Sequence, residues 1–152
     1  MKLTQQQIET LRQSCRQALT LSYSPYSNFA VGAAMLLASG ETVLGANVEN
    51  ATYGATVCAE RVALLKCITS DDPRLRDVQG NWVALGVMAS RGSSVVAPCG
   101  ICRQVIAEFV KDDEFVVVMF GSDDSKFEVR SVGELLPMRF ELENGGEKVE
   151  TK

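Results

Sequence analysis

The spacing of hydrophobic and polar residues changes several times along the chain, and each change predicts a new helix or strand. Over residues 4–21, apolar side chains recur every three or four positions, which is the period of an amphipathic helix. Thr4 precedes this stretch and Gln7 follows three residues later, the spacing of a capping box. The face predicted to be buried consists of Ile8, Leu11, Cys15, Ala18 and Leu19.

Short apolar runs bounded by turn-forming residues predict the strands. They lie at 29–38, 42–48, 82–89, 114–120 and 127–129. The first two are separated only by Ser39, Gly40 and Glu41, a combination that favours an antiparallel hairpin. The third is almost wholly apolar, as expected for a central strand that is covered on both faces.

Helical spacing returns at 58–69 and at 99–111, which predicts two more helices. Pro98 precedes the second of them, at a place where proline is favoured. A short helical turn is expected at 131–135. Strands that alternate with helices after an initial hairpin indicate an α/β fold. We therefore expect three layers, α/β/α, around a five-stranded mixed sheet.

The chain has the length and composition of one globular domain. Its 152 residues are 46% hydrophobic and 22% charged, which is apolar enough to bury a core and not charged enough for a disordered chain. No repeat or linker divides it. Residues 1–143 are expected to form a single domain, followed by a polar tail at 144–152.

Charge and hydropathy narrow the possible partners. The net charge is -4 and the pI is about 4.9, so the surface does not attract polyphosphates in general. No apolar run reaches the roughly 18 residues that span a bilayer, and the N-terminal residues lack the apolar centre of a signal peptide. We expect a cytoplasmic protein with neither a membrane nor a nucleic acid as partner.

Cysteine occurs five times and histidine is absent. An odd number of cysteines without an export signal argues against a disulfide framework and leaves metal binding, catalysis or burial. Because there is no imidazole, Ser–His and Cys–His mechanisms are excluded. Acid–base chemistry then falls to carboxylates, lysine, tyrosine, thiols or a metal-bound water. The cysteines are Cys15, Cys58, Cys67, Cys99 and Cys102.

Three of the cysteines are placed to bind one metal ion. Cys99 and Cys102 are separated by two residues at the start of a predicted helix, which puts both sulfurs on one face of its first turn. Cys58 starts another predicted helix and becomes a third ligand if the two helix N-termini meet. Three protein ligands leave the fourth position of a tetrahedral zinc ion open for water, as in catalytic sites.

Glu60 and Arg61 follow the first of these cysteines. A carboxylate beside zinc can take a proton from the bound water and deliver it to a ring nitrogen, which is the role we predict for Glu60. Three thiolates around a divalent cation leave a net charge of about -1, which two helix N-termini and Arg61 would offset. We therefore expect Arg61 to donate a hydrogen bond to the thiolates.

The sequence leaves other interpretations of these residues open. Cys99 and Cys102 also suit a redox dithiol, or half of a structural zinc site that Cys15 or Cys67 would complete. The latter two are otherwise expected to be small core residues. The glutamate and arginine that follow Cys58 are alternatively a solvated carboxylate at a helix start and an ordinary surface arginine.

Cys58-Ala-Glu-Arg61 and Pro98-Cys-Gly-Ile-Cys-Arg-Gln104 resemble the zinc signature of the cytidine and deoxycytidylate deaminase family, with cysteine in place of the usual histidine. All-cysteine ligation is similar to the homotetrameric cytidine deaminase branch of that family. The likeness continues through further segments in the family's order, over roughly residues 5–140. They are Tyr23-Ser-Pro-Tyr-Ser-Asn-Phe29, Val31-Gly-Ala-Ala34, Asn47-Val-Glu-Asn-Ala51 and Glu134-Leu-Leu-Pro137.

The resemblance implies roles for the residues around the metal. Asn47 and Glu49 would hydrogen-bond the ribose hydroxyls, a pairing that suits a neutral sugar and would repel a 5′-phosphate. Phe29 would pack on the pyrimidine ring, and Ala59 would offer the base a backbone contact. The substrate-binding segment would also include Val48, Asn50, Ala51, Thr52 and Tyr53.

Two aromatic residues would act across subunits in the homotetramer that the resemblance implies. Tyr53 would help build a neighbouring subunit's site, and Phe140 would close over the nucleoside from another subunit. For Phe29 and Phe140, simple core packing is the alternative. Gln104 stands where the family places a polar group near the metal thiolates.

The function implied by the resemblance is zinc-dependent hydrolytic deamination of cytidine and deoxycytidine to uridine and deoxyuridine in pyrimidine salvage, with one Zn²⁺ per subunit. Two alternatives are a deaminase of a related aminopyrimidine, such as blasticidin S or a nucleotide, and a non-catalytic zinc-stabilised binding domain. Nucleic-acid editing is disfavoured by the net charge and by the lack of a basic, aromatic-rich stretch.

Overall fold

The computed structural model describes residues 2–92, 94–110, 112–123 and 126–142, so the predicted tail at 144–152 lies outside the described residues. A five-stranded sheet crosses this part of the chain in the order β2-β1-β3-β4-β5. Only β3 and β4 are parallel, and the other neighbours are antiparallel. The predicted mixed sheet is confirmed. Its strands are β1 (Val31–Leu37), β2 (Thr42–Ala46), β3 (Trp82–Ala89), β4 (Val116–Phe120) and β5 (Phe127–Ser131).

Six helices accompany the sheet within the described ranges. Thr4 and Gln7 form the predicted capping box at the first of them, since the backbone amide of each meets the side chain of the other at 2.8 and 3.2 Å. The helices are α1 (Gln5–Leu19), α2 (Ala59–Ile68), α3 (Pro73–Arg76), α4 (Val78–Asn81), α5 (Gly100–Phe109) and α6 (Val132–Leu135).

Helices α3 and α4 were not predicted from the sequence, because no apolar period marks helices this short. Each begins at an aspartate whose side chain accepts a backbone hydrogen bond. Asp72 accepts from the amide of Arg74 at 2.9 Å, and Asp77 accepts from the amide of Gly80 at 3.0 Å. Local capping by polar side chains therefore shapes this connection.

Helices cover both faces of the sheet, as the three-layer prediction requires. On one face, α1 buries Ile8, Leu11 and Cys15 against the strands. On the other face, α2 and α5 pack in a second cluster that includes Leu64 and Ile106. None of the helices in the described part of the chain is long and apolar enough to cross a membrane.

Strand β2 ends at Ala46, two residues earlier than predicted, and this early end shapes the candidate site. Beyond it, Val48 makes isolated bridges to Tyr23 on one side and to Val57 on the other. The segment after β2 therefore lies between the loop that follows α1 and the residues that lead into α2. Predicted binding residues from both loops meet here.

Candidate active site

Two cysteines begin the two helices of the same sheet face. Cys58 is the N-cap of α2 and Cys99 is the N-cap of α5, and neither side chain makes a capping hydrogen bond to a backbone amide of its helix. The N-termini of the two helices meet, so that the Cys58 and Cys99 sulfurs are 3.9 Å apart. Cys102, one turn into α5, places its sulfur 3.4 Å from that of Cys99. The predicted convergence of the three cysteines is confirmed.

The three sulfur atoms fit a zinc ion. They all lie within 4.8 Å of one another. Zinc–sulfur bonds of about 2.3 Å in tetrahedral geometry require sulfur separations of about 3.8 Å, close to the distances observed. Cys102 is buried, Cys58 is half-buried and Cys99 is exposed, so the cluster opens toward solvent on one side. The donor set and its open side suit a zinc ion with one position left for water.

Neither remaining cysteine completes a four-cysteine site. Cys15 is buried among the residues of the α1 face, on the other side of the sheet. Cys67 lies in the last turn of α2 within the core of the near face, and burial raises the pKa of its thiol to about 11. Both are the small core residues that the sequence suggested, and a structural site completed by either one is excluded.

The cluster carries negative charge that its surroundings stabilise. A hydrogen bond from Cys102 lowers the pKa of the Cys58 thiol to about 5; partial burial opposes this shift and Arg61 adds to it. The same pairing raises the pKa of Cys102, and burial adds to that rise. Cys58 is therefore a thiolate at neutral pH, the form that binds metals.

Arg61 is turned toward the cluster and away from bulk solvent. Its Nη2 donates to the carbonyl of Thr56 at 2.8 Å and to the Cys58 sulfur at 3.7 Å. Its Nε is buried and has no hydrogen-bond partner among the described residues. An ordinary surface arginine would have neither feature, and both agree with the predicted donor to the thiolates.

Glu60 lies in the first turn of α2 and only 4% of its surface is exposed. Burial raises the pKa of its carboxyl group, and the negative charge of Cys58 adds to the rise. The solvated carboxylate that the sequence left open is therefore absent at this position. A carboxyl group whose pKa is raised holds a proton more readily than a solvated one, which suits a group that both accepts and releases protons beside a metal site.

Asn47 is buried, and its side chain joins three segments of the chain. Oδ1 accepts from the amide of Val31 at 2.9 Å and from the hydroxyl of Ser22 at 2.5 Å, and Nδ2 donates to the carbonyl of Phe29 at 2.9 Å. Because Oδ1 already accepts two bonds, it has no acceptor capacity left for a ligand. These contacts leave one hydrogen of Nδ2, so Asn47 can only donate to a bound molecule.

The carboxylate of Glu49 is held by the preceding loop. Oε2 accepts from the amides of Tyr26 at 2.9 Å and Ser27 at 3.2 Å, and Oε1 accepts from the Ser27 hydroxyl. The Ser27 hydroxyl is the main reason that the pKa of Glu49 lies below its usual range, and the two amides contribute. Glu49 is therefore a charged hydrogen-bond acceptor at neutral pH, beside the donor of Asn47.

Phe29 ends this loop and is half-buried. Its amide donates to the Ser27 hydroxyl at 3.0 Å. The preceding Asn28 has a φ of 53°, a left-handed conformation that asparagine tolerates better than most residues. Arg91, which follows β3, donates to the carbonyls of Ser27 and Asn28 at 3.0 and 2.7 Å. Neither Ser27 nor Arg91 was singled out from the sequence.

The rest of the predicted binding segment is exposed. Tyr53 begins a short 3-10 turn (Tyr53–Ala55) with 70% of its surface exposed, and its ring meets that of Tyr26 edge-on at a centroid distance of 5.9 Å. Val48 and Ala59 flank the segment, the first 45% exposed and the second fully buried. Three polar or small residues between them are also exposed, namely Asn50, Ala51 and Thr52.

Gln104 and Phe140 are paired. The Gln104 side chain donates to the backbone carbonyl of Phe140 at 2.9 Å and accepts from its backbone amide at 3.2 Å. Arg139 adds an ion pair to Asp113. The ring of Phe140 is 67% exposed, so core packing is excluded for it. Gln104 therefore fixes the backbone of the final described segment to the helix that carries two metal ligands.

The chain is similar to known proteins that share its zinc signature. The family model for the cytidine and deoxycytidylate deaminase zinc-binding region matches residues 5–119. A cytidine deaminase of Halalkalibacterium halodurans is 44% identical over 128 residues, covering 84% of this chain and 89% of the relative. A cytidine deaminase of Mycobacterium tuberculosis is 38% identical over 134 residues, covering 88% and 90%.

Solved structures give the same result for the fold. A crystal structure of cytidine deaminase from Burkholderia pseudomallei matches with a TM-score of 0.77 at 36% identity, covering 91% of this chain and 100% of that chain. The cytidine deaminase structure from Mycobacterium tuberculosis matches with a TM-score of 0.67 at 38% identity, covering 88% and 97%.

Proposed function

The chain belongs to the cytidine and deoxycytidylate deaminase family, and from this premise we propose that it hydrolyses cytidine and deoxycytidine to uridine and deoxyuridine. The observation that carries the proposal is the set of three cysteine sulfurs, all within 4.8 Å of one another, together with the buried carboxyl group of Glu60, which is close enough for the charge of Cys58 to raise its pKa. A non-catalytic zinc domain has no use for a buried carboxylate beside its metal. The sheet and helices that hold these residues match those of cytidine deaminases.

We assign one zinc ion per subunit to Cys58, Cys99 and Cys102. When bound, zinc supplies the Lewis acidity that makes water a nucleophile at neutral pH. The helix N-termini and Arg61 offset the charge of the three thiolates, so the metal keeps that acidity.

Glu60 moves the protons of the reaction. Its carboxylate takes a proton from the attacking water and delivers it to N3 of the pyrimidine, while the water oxygen adds to C4. The same carboxylate then takes the proton of the new C4 hydroxyl and passes it to the amino nitrogen, which leaves as ammonia while the C4 carbonyl forms. Because the pKa of Glu60 is raised by burial, it can change protonation state twice in one turnover.

The loop residues favour a free nucleoside over a nucleotide. Asn47 offers a hydrogen-bond donor and Glu49 a charged acceptor, which together match a ribose hydroxyl that both accepts and donates. A 5′-phosphate near Glu49 would meet like charge. Phe29 packs on the pyrimidine and the backbone of Ala59 contacts it. The surrounding wall is assigned to Val48, Asn50, Ala51 and Thr52.

We propose a homotetramer in which Tyr53 and Phe140 serve neighbouring sites. Support comes from exposed apolar side chains close to the site: 70% for Tyr53, 67% for Phe140 and 63% for Ile101, which lies between two ligands. Large apolar groups exposed together often mark contact surfaces. Sedimentation or light scattering of the zinc-loaded protein tests the assembly.

The cellular setting follows from the ligands. Three thiolate ligands and two further free cysteines suit a reducing compartment, so we place the protein in the cytoplasm, acting in pyrimidine salvage. Residues 1–143 would form the whole catalytic unit. The net charge of -4 supports a small-molecule substrate over nucleic acid.

The direct test is an assay of the purified protein with cytidine, followed by the loss of absorbance as uridine forms, with and without a chelator. We expect turnover that the chelator abolishes and added zinc restores. Deoxycytidine, deoxycytidylate, blasticidin S and single-stranded RNA are tested beside it. Faster turnover of deoxycytidylate or blasticidin S than of cytidine would reject the nucleoside assignment.

A further inference from the structure

A glycine in β2 lies directly beneath the start of α2. A Cβ atom built on Gly45 would be 2.3 Å from the carbonyl oxygen of Ala59 and 2.4 Å from the amide nitrogen of Ala63. Real Cβ atoms essentially never come closer than 3.0 Å to another heavy atom. The contacted atoms are backbone, so they cannot rotate away as the end of a flexible side chain would. Any larger residue at position 45 must displace the helix.

The displaced part of the helix would be the part that carries the site. Ala59 stands between the ligand Cys58 and the proton carrier Glu60, in the first turn of α2. The other two ligands belong to α5, which Gly45 does not touch at these close distances. A shift of α2 would therefore move one ligand and Glu60 relative to Cys99 and Cys102.

We propose that Gly45 is a positioning residue of the active site. Its missing side chain lets α2 approach β2 closely enough for the Cys58 sulfur to complete the three-sulfur cluster and for Glu60 to face the reacting atoms. The part that concerns Glu60 rests on the proposed function, whereas the part that concerns Cys58 depends only on metal binding. Displacements of about 1 Å in a catalytic arrangement can reduce turnover about 10²-fold.

The chain offers a matched control on the opposite face. A Cβ atom on Gly32 of β1 would be 2.3 Å from the carbonyl oxygen of Cys15 and 2.7 Å from the amide of Leu19, both in the backbone of α1. Gly32 and Gly45 lie in adjacent strands, in neighbouring rungs of one antiparallel pair. The steric conflict is the same, but α1 carries no residue of the site.

The experiment compares Gly45→Ala with Gly32→Ala in the full chain, each loaded with Co²⁺ in place of zinc. Tetrahedral Co²⁺ with thiolate ligands has visible absorption that reports its geometry directly. We expect both variants to lose thermal stability to a similar degree. Only Gly45→Ala should show an altered cobalt spectrum and faster loss of metal to a chelator. Its kcat with zinc should fall about 10²-fold with little change in KM.

Equal spectra and equal kcat in the two variants would overturn the proposal and leave Gly45 a packing residue only. If Gly45→Ala does not fold, Ala63→Ser adds one atom to the helix residue whose backbone contacts Gly45, and Ala18→Ser adds one to the residue that contacts Gly32. The same contrast in cobalt spectra is then expected between the two serine variants. Absence of cytidine turnover in the parent protein would reject the proposed function, while the spectra would still test the position of Cys58.

Discussion

Cys58 and Cys99 hold the same position in two different helices: each is the N-cap, and their sulfur atoms lie 3.9 Å apart. N-cap side chains commonly accept a hydrogen bond from a backbone amide of their own helix, and neither of these does. Both sulfurs are thus available to bind one metal ion, and the positive ends of two helix dipoles would lie next to that ion. The residues proposed to bind metal and to transfer protons therefore lie close together, and single substitutions can test each of them.

Replacing Glu60 by glutamine should leave the metal and remove the activity. Glutamine has nearly the same shape but cannot carry a proton, so we expect kcat to fall by at least the roughly 10²–10⁴-fold associated with general acid–base catalysis. Steady-state kinetics and metal analysis of the same preparation measure both effects. Glu108→Gln, at an exposed position of α5, is the control. A near-normal rate in Glu60→Gln would refute the assignment.

Cys102→Ala should abolish zinc binding and lower thermal stability. The thiol is buried and is one of the three ligands that we propose, so its loss should weaken binding by more than the roughly 10–100-fold that a residue supporting a ligand contributes. Metal content and unfolding temperature, each with and without added zinc, provide the measurements. Cys67→Ala removes an equally buried thiol outside the cluster and should keep both zinc and the zinc-dependent stabilisation. Stoichiometric zinc in Cys102→Ala would contradict the ligand set.

Glu49→Gln should raise KM for cytidine more than it lowers kcat. The substitution removes the charge but keeps the size, and it weakens a hydrogen bond made by substrate and transition state alike. Kinetics on cytidine and on deoxycytidylate give the comparison. Because like charge is removed, discrimination against the nucleotide should decrease in the variant. An unchanged KM for cytidine would move the sugar site elsewhere.

Ser27→Ala should change the pH range over which the product binds. The Ser27 hydroxyl holds the pKa of Glu49 below its ordinary value, so the carboxylate stays charged to a lower pH than it otherwise would. Without the hydroxyl the pKa rises, and the weakening of uridine binding on acidification should begin at a higher pH than in the parent. The inhibition constant of uridine, measured against pH, follows this shift.

The chain contains a second serine–glutamate pair that serves as control for this titration. Ser39 donates to the carboxylate of Glu41 at 2.9 Å in the exposed turn between β1 and β2. Ser39→Ala should leave uridine binding unchanged at every pH. If Ser27→Ala and the parent protein gave superimposable pH curves, Glu49 would not be the titrating group.

Gln104→Ala should release the backbone of Phe140 and raise KM. The substitution removes two hydrogen bonds. The loss of even one such bond, worth about 0.5–1.5 kcal/mol, would raise KM by about 2- to 10-fold, so we expect an increase of at least that size. If Gln104 acts by holding Phe140, the double variant with Phe140→Ala should be little worse than Phe140→Ala alone. Additive effects of the two substitutions would show that they act separately. Glu108→Ala, on the same helix, is the control.

The residues that were predictable are those whose chemistry is local in the sequence. The i, i+3 spacing of Cys99 and Cys102 and the carboxylate two residues after Cys58 are enough to indicate a metal site with its own proton carrier. The apolar runs likewise indicate the strands, with β3 predicted to the residue. Such features depend on neighbours within one or two turns of chain, where periodicity is informative.

Contacts between distant segments could not be predicted in the same way. Arg91 reaches the loop at Ser27 across more than 60 residues, and Gln104 reaches Phe140 across 36. No local pattern encodes such pairs, because the tertiary fold, and not the neighbouring sequence, brings these residues together. The hydrogen bonds that hold the Glu49 carboxylate, and the close approach of α2 to Gly45, are likewise contacts between distant segments.

Asn47 imposes a limit on how this enzyme can diversify. Its amide joins β1, the loop after α1 and Phe29, which we propose packs on the base, so a substitution that altered the proposed sugar contact would also loosen the loop. The Glu49 carboxylate also holds the loop after α1, but it contacts only Tyr26 and Ser27 there and does not join the loop to β1. Substitutions that change the sugar preference should therefore be tolerated better at position 49 than at position 47, and should accumulate there first.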